Sequence, residues 1–109
     1  MLAIAANTRI FFFQTPIDMR KGLEALSILV AENCDDSLTS GTLFVFINRL
    51  KDRIKVFYWD HDGFAIWWKR LEKGTFRLLG IHKSFINRKE FFMLLEGITP
   101  KKIQKRFAL

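Results

Sequence analysis

Thr42–Asp60, TLFVFINRLKDRIKVFYWD, sets two apolar runs on either side of a short polar turn. Leu43–Ile47 is apolar at every position, and Ile54–Trp59 is broken only by Lys55. Both runs are rich in Phe, Val, Ile, Tyr and Trp, which suit a pleated sheet. Leu50-Lys51-Asp52-Arg53 is the polar break between them, so the stretch predicts a β-hairpin. A strand without alternation has both faces covered, which puts Leu43–Ile47 near the middle of a sheet.

On its N-terminal side, Thr8–Thr15 (TRIFFFQT) predicts an earlier strand. Thr15 followed by Pro16 and Asp18 then reads as a helix start, with Thr15 as N-cap and Asp18 near the positive end of the dipole. The expected helix runs to about Asn33. Met19, Leu23, Leu26 and Val30 fall on one face of it, and Gly22 weakens it by about 1 kcal/mol relative to Ala. Asn33–Gly41 is a loop by composition. After the hairpin, His61-Asp62-Gly63 is a tight turn, and Phe64–Arg70 a third meander strand. Glu72-Lys73-Gly74 marks a further turn and Thr75–Leu79 a fourth meander strand. Gly80–Phe85 has no assignment from pattern. Asn87 and Glu90 form a capping box for a second helix, Arg88–Glu96, with Phe91, Leu94, Leu95 and Ile98 inward and Gly97 and Pro100 ending it. The expected fold is α+β: an antiparallel four- to five-stranded meander, one helix after the first strand, one C-terminal helix, both packed on one side. The expected organisation is one domain over residues 1–109, with a core at about 8–98 and a basic tail at 99–109.

Half of the 109 residues are apolar and 12 are Phe, enough for a substantial core and too apolar for a disordered chain. No apolar run approaches the roughly 20 residues that span a bilayer. The N-terminal stretch lacks a basic region and is interrupted by Arg9, which argues against a signal peptide. A lone cysteine, Cys34, suits a reducing compartment, so the expected location is cytoplasmic. The net charge of +7 points to an anionic partner, nucleic acid first; solubility of an aromatic-rich chain is the plainer explanation of the same charge.

The residues offer no catalytic constellation. His61 and His82 lie in separate segments without a second His or Cys at metal-ligand spacing. Three adjacent loop residues, Asp60-His61-Asp62, cannot converge on one ion. Cys34 has no basic neighbour in sequence to activate it. Phosphate-binding glycine motifs and the Gly-x-Ser-x-Gly elbow are missing. Asp52, Asp60, Asp62 and Glu72 are the candidates for a two-metal nuclease, but they sit at turns on alternating ends of a meander. No cofactor, metal or catalytic residue is expected.

The cations carry more information. Arg49, Lys51, Arg53 and Lys55 cluster about the hairpin turn, and Lys69, Arg70 and Lys73 about the turn after the third meander strand. Antiparallel geometry puts both turns at one end of the sheet, where about seven cations would gather. Adjacent Trp67 and Trp68 cannot face the same side of a strand, so one faces outward or lies under a helix. An outward Trp among cations suits a nucleobase or a protein partner; otherwise the aromatics are core and the cations a solvated rim.

Several pieces occur in a familiar order: Asp18-Met19-Arg20-Lys21-Gly22, Ser40-Gly41 before Leu43-Phe44-Val45-Phe46, Asp52-Arg53-x-Lys55, Trp59-Asp60, Gly63-Phe64, and Lys69-Arg70-Leu71-Glu72-x-Gly74-x-Phe76. Together they resemble the TnpB accessory proteins, encoded by the second open reading frame of IS66-class bacterial insertion sequences. These are distinct from the RNA-guided nuclease of the same name. The match runs from about Arg9 to Phe76, with a weaker echo at Leu94–Ile98. It departs at Arg77-Leu78, where the family often has Trp-Pro. The resemblance implies a non-catalytic protein that assists transposition while a separate, larger transposase cuts and joins DNA. Expected partners are DNA and that companion transposase, with no membrane; the oligomeric state, homo-oligomer included, is left open. The expected nucleic-acid contacts are Arg20, Lys21, Arg49, Lys51, Arg53, Lys55, Lys69, Arg70, Lys73, Lys101 and Lys102, and Trp67 and Trp68 are the expected partner contacts. Arg20 and Lys21 would act at the start of the first helix, beside free backbone N–H groups. Docking on the transposase without DNA contact is the alternative.

Overall fold

Leu43–Ile47 is buried at all five positions, and the reason is a layer of packing on each side. The computed structural model describes residues 4–78, 81 and 83–96. Over these the elements are β1 (Ile10–Phe12), α1 (Leu23–Asn33), β2 (Leu43–Ile47), β3 (Arg53–Asp60), β4 (Gly63–Arg70), β5 (Phe85–Ile86) and α2 (Arg88–Glu96). The strands form one sheet in the order β4-β3-β2-β1-β5, with β2 in the centre. The fold is α+β and the sheet mostly antiparallel.

The meander is confined to β2, β3 and β4, where Val45 faces Val56 and Val56 faces Trp67. The β1–β2 pair is parallel, with Ile10 opposite Leu43. Parallel neighbours need a crossover rather than a tight turn, and the segment carrying α1 supplies it. β5 pairs with β1 on the far side, Ile10 opposite Ile86. No strand forms at Thr75–Leu78; Phe76 instead donates its N–H to the Lys51 carbonyl at 2.7 Å and is buried. The fourth strand expected there is therefore replaced by a loop that plugs the core. Leu79 lies outside the described residues.

The two helices cover opposite faces of the sheet, not one. Leu26 and Val30 of α1 pack with Phe11, Phe13, Phe44, Phe46 and Phe57. Phe91, Leu94 and Leu95 of α2 pack with Ile10, Phe12, Leu43, Val45, Ile47, Ile54 and Val56. Alternation along each strand sorts the side chains into a Phe-rich α1 side and a largely aliphatic α2 side. On the α1 side Phe13 stacks on Phe46 with ring centroids 4.3 Å apart. Each fully buried Phe, Leu or Ile stabilises the fold by about 1.5–3 kcal/mol, so a central strand filled on both sides needs no polar residue.

The first helix starts seven residues later than an N-cap at Thr15 implies, with Gly22 in that position. Ile17 donates its N–H to the Ile47 carbonyl at 3.0 Å, which holds the chain against β2. Asp18 Oδ1 then accepts the Arg20 N–H at 2.9 Å in a local turn. α1 begins only at Leu23, with Gly22 as an N-cap that makes no side-chain capping bond. Gly22 is thus at the helix boundary and carries no interior penalty. The second helix follows its signal: Asn87 N–H donates to Glu90 Oε1 at 2.8 Å, and Glu90 N–H to Asn87 Oδ1 at 2.7 Å. Gly97, Ile98, Pro100 and the tail lie outside the described residues.

Candidate nucleic-acid interface

The turn between β2 and β3 is built on Asn48. Its Oδ1 accepts the N–H groups of Asp52 (3.1 Å) and Arg53 (3.0 Å), and its Nδ2 donates to Asp52 Oδ1 at 2.6 Å. Lys51 takes a positive φ of 59° to close it. The chain after β4 returns to this turn: Leu71 N–H donates to the Asp52 carbonyl and Phe76 N–H to that of Lys51. The two basic turns therefore meet at one end of the sheet.

Face decides which cations share a surface. Ile54, Val56 and Tyr58 of β3 point to the α2 side, so Arg53 and Lys55 point to the α1 side. Cross-strand partners share a face, which puts Arg70 beside Arg53 and Trp68 beside Lys55. Here α1 does not cover the sheet, and Trp68 is 61% exposed. Met19, Arg53, Lys55, Ile66 and Trp68 line a groove over these strands. A second groove, sharing Met19 and Arg53, extends to Arg20, Arg49 and Leu50. The result is one strip with Arg20, Arg49 and Arg53 at one end and Trp68 at the other. Lys69 and Trp67 lie on the opposite face: Lys69 pairs with Ile54, and Trp67 packs against the α2-side core. The expected cation cluster is thus divided between two faces. Lys73 is exposed in the loop that meets the Lys51 turn, and Lys101 and Lys102 lie outside the described residues.

The cations differ in how they are held. Lys55 donates from Nζ to the carbonyls of Met19 (2.6 Å) and Lys21 (2.8 Å), so its charge is a strut for the segment before α1. That segment is turn and coil, so Arg20 and Lys21 precede the helix rather than open it. Arg20 reaches back to Asp18, with Nη2–Oδ2 at 2.6 Å, and its guanidinium holds the Asp18 carboxyl well below the usual range. This pair is fully exposed and contributes little to stability; it sets the direction of Arg20. Arg70 meets Glu72 at 3.5 Å. Among the described residues, Arg49 and Arg53 have no carboxylate partner. Burial pushes the Cys34 thiol up, which disfavours the thiolate.

Sequence reasoning missed two parts of this strip. Met19 reads as the buried face of a helix but forms the apolar floor between Arg20 and Arg53. The Lys55 strut spans 36 residues in sequence, and no local pattern announces it.

A small α+β chain built around a β-α-β crossover and a hairpin meander is the setting in which the ordered sequence pieces fall. Residues 8–105 match the family described as IS66 Orf2 like protein, and the chain belongs to that family. Two relatives come from Sinorhizobium fredii (strain NBRC 101917 / NGR234), each described as an uncharacterized protein. The chain is similar to y4jC at 27% identity over 108 residues, covering 97% of this chain and 92% of that one. It is similar to y4hO at 34% identity over 76 residues, covering 70% and 66%. No solved structure matches. Among the described residues no helix is long and apolar enough to cross a membrane.

Proposed function

We propose that this protein is a non-catalytic accessory factor of insertion-sequence transposition that binds DNA, alone or in the transposase–DNA complex. Family membership supports the accessory role. The contact surface is the strip formed by Arg20, Arg49 and Arg53 beside Met19 and Trp68, with Arg70 at its border and Lys21, Lys51 and Lys73 at its margins. The observation that carries this reading is the meeting, on a sheet face left open by α1, of Arg20 from the segment before α1 with Arg49 and Arg53 of the β2–β3 hairpin, and of Arg70 on β4 opposite Arg53. Guanidinium groups there would contact phosphates, which positions a protein on DNA without reading sequence. Such a factor works in the cytoplasm, where bacterial DNA lies.

The test is retention of DNA by the purified chain over a salt series. Binding at low salt that falls by about 0.9 log units per log unit of salt for each phosphate contact is expected. No retention at low salt, or a flat salt response, refutes direct DNA contact. The 61% exposure of Trp68 and 37% exposure of Phe64 favour a second reading, docking on the companion transposase. A pull-down of the transposase that survives nuclease treatment and charge reversal at Arg49 and Arg53 would establish it.

A further inference from the structure

β4 is the open edge of the sheet. β3 pairs with it along its whole length, from Arg53 opposite Arg70 to Asp60 opposite Gly63, and among the described residues no strand pairs with its outer side. Natural edges are blunted by proline, by bulges, by short length or by charges within the strand. This edge has none of the first three: it is eight residues long, its register is unbroken, and it contains no proline. Its charges are confined to Lys69 and Arg70 at one end, while Asp60 and Asp62 stand at the other. The edge at the far side of the sheet, β5, has only two residues.

We propose that β4 is a dimer interface, pairing antiparallel with β4 of a second copy of this chain to continue the sheet across a two-fold axis. The charge pattern selects the direction. Parallel pairing would set Lys69 and Arg70 against the same residues of the second copy. Antiparallel pairing sets the basic end against the acidic turn. Symmetry selects the register. A two-fold axis normal to the sheet keeps opposed residues on one face, so one residue must face itself. With Ile66 on the axis, Ala65 faces Trp67, Phe64 faces Trp68, Gly63 faces Lys69 and Asp62 faces Arg70. Every apolar side chain meets an apolar one, and the outermost pair is oppositely charged. With Trp67 on the axis, Phe64 would face Arg70 and Asp62 would face Glu72. With Ala65 on the axis, Asp62 would face Trp68. Only the Ile66 register satisfies both apolar and charged positions. It also accounts for the exposure of Phe64 and Trp68, which lie on the same face and cover each other across the axis. The cationic strips of both copies then lie on one side of the joined sheet. Dimerisation requires no DNA and stands apart from the proposed function.

The test is the mass of the nuclease-treated full chain by sedimentation, combined with crosslinking. The wild-type protein is expected to be a dimer. Opposed Cα atoms in an antiparallel pair are about 4.5–5.5 Å apart, within the span of a disulfide. In a Cys34→Ser background, Ile66→Cys is expected to give a covalent dimer under mild oxidation. Trp68→Cys is expected to give none, because its two copies would stand about 13 Å apart along the strands. Asp62→Lys should weaken the dimer tenfold or more, and adding Arg70→Asp should restore it; both sites are exposed, so folding is preserved. A monomer at hundreds of micromolar would overturn the proposal. So would a dimer that Ile66→Cys fails to crosslink and that the Asp62→Lys substitution leaves intact.

Discussion

The ammonium of Lys55, on β3, grips the Met19 carbonyl at 2.6 Å from across the groove, and takes the Lys21 carbonyl at 2.8 Å as well. Charge-assisted bonds of this kind are short and strong. They fix the segment that presents Arg20 against the strand that presents Arg53. A residue that looks like a ligand contact in sequence is thereby a structural tie.

Lys55→Met keeps the aliphatic stem and removes the donors. It should lower stability by about 1–3 kcal/mol and open residues 15–22 to protease. Urea denaturation with limited proteolysis checks both effects. Unchanged stability and an uncut segment would show that the tie does not hold in solution.

Arg49 and Arg53 are expected to carry phosphate contacts, and Lys69 to carry none because it lies on the other face. Arg49→Ala with Arg53→Ala should reduce the salt slope of DNA binding by about 2, with the circular dichroism spectrum unchanged. Lys69→Ala should leave the slope as it was. Equal losses from both variants would mean that net charge, rather than this strip, governs binding.

Phe44 and Leu94 serve separate cores on opposite faces of the sheet. Phe44→Ala should cost about 3–5 kcal/mol and Leu94→Ala about 2–5 kcal/mol. Because they share no buried partner, the losses should add. The double variant should then lack a cooperative melt, since a domain's whole stability is about 5–15 kcal/mol. A cooperative transition close to that of either single variant would argue that the cores are not independent.

Acid should weaken the fold through two carboxylates. The Arg9 guanidinium, 2.8 Å away and aided by the Thr42 hydroxyl at 2.7 Å, holds Asp36 below the usual carboxylate range despite its partial burial. The Asn87 N–H, with Lys83 at 3.2 Å, does the same for Glu90. A carboxyl depressed in the folded state contributes fully above its unfolded pKa, about 4, and loses that contribution as pH falls toward the folded value. Stability should therefore be level from pH 7 to about pH 5 and decline below about pH 4. Asp36→Asn should be less stable at neutral pH and show a shallower acid decline. An acid profile identical to wild type would remove Asp36 from this account.

Much of the architecture was legible because some signals are local. The unbroken run Leu43–Ile47 announces a strand covered on both sides, and the Asn87–Glu90 box announces α2 to the residue. Local pattern fails where a distant partner outcompetes it. Thr15-Pro16 has the form of a helix start, but the Ile17 N–H is claimed by Ile47, and α1 waits until Leu23. Thr75–Leu79 has strand composition, yet Phe76 buries its ring in the α2-side core while its N–H bonds the Lys51 carbonyl. The strand-helix-strand order is compatible with the parallel β1–β2 pair, but apolar pattern alone does not separate it from a meander. In the site, alternation along β4 correctly separates Trp67 from Trp68. The same alternation separates Lys69 from Arg70, which the grouping of cations by turn alone overlooked.

The placement of α2 has a consequence for synthesis. In a growing chain that has emerged only through β4, Val45, Ile47, Ile54 and Val56 still lack the residues that cover them in the finished fold. Those side chains gain full cover only when Phe76, Ile86 and then Phe91, Leu94 and Leu95 have followed. Until then the nascent protein displays a greasy sheet, the kind of surface that invites aggregation and chaperone capture.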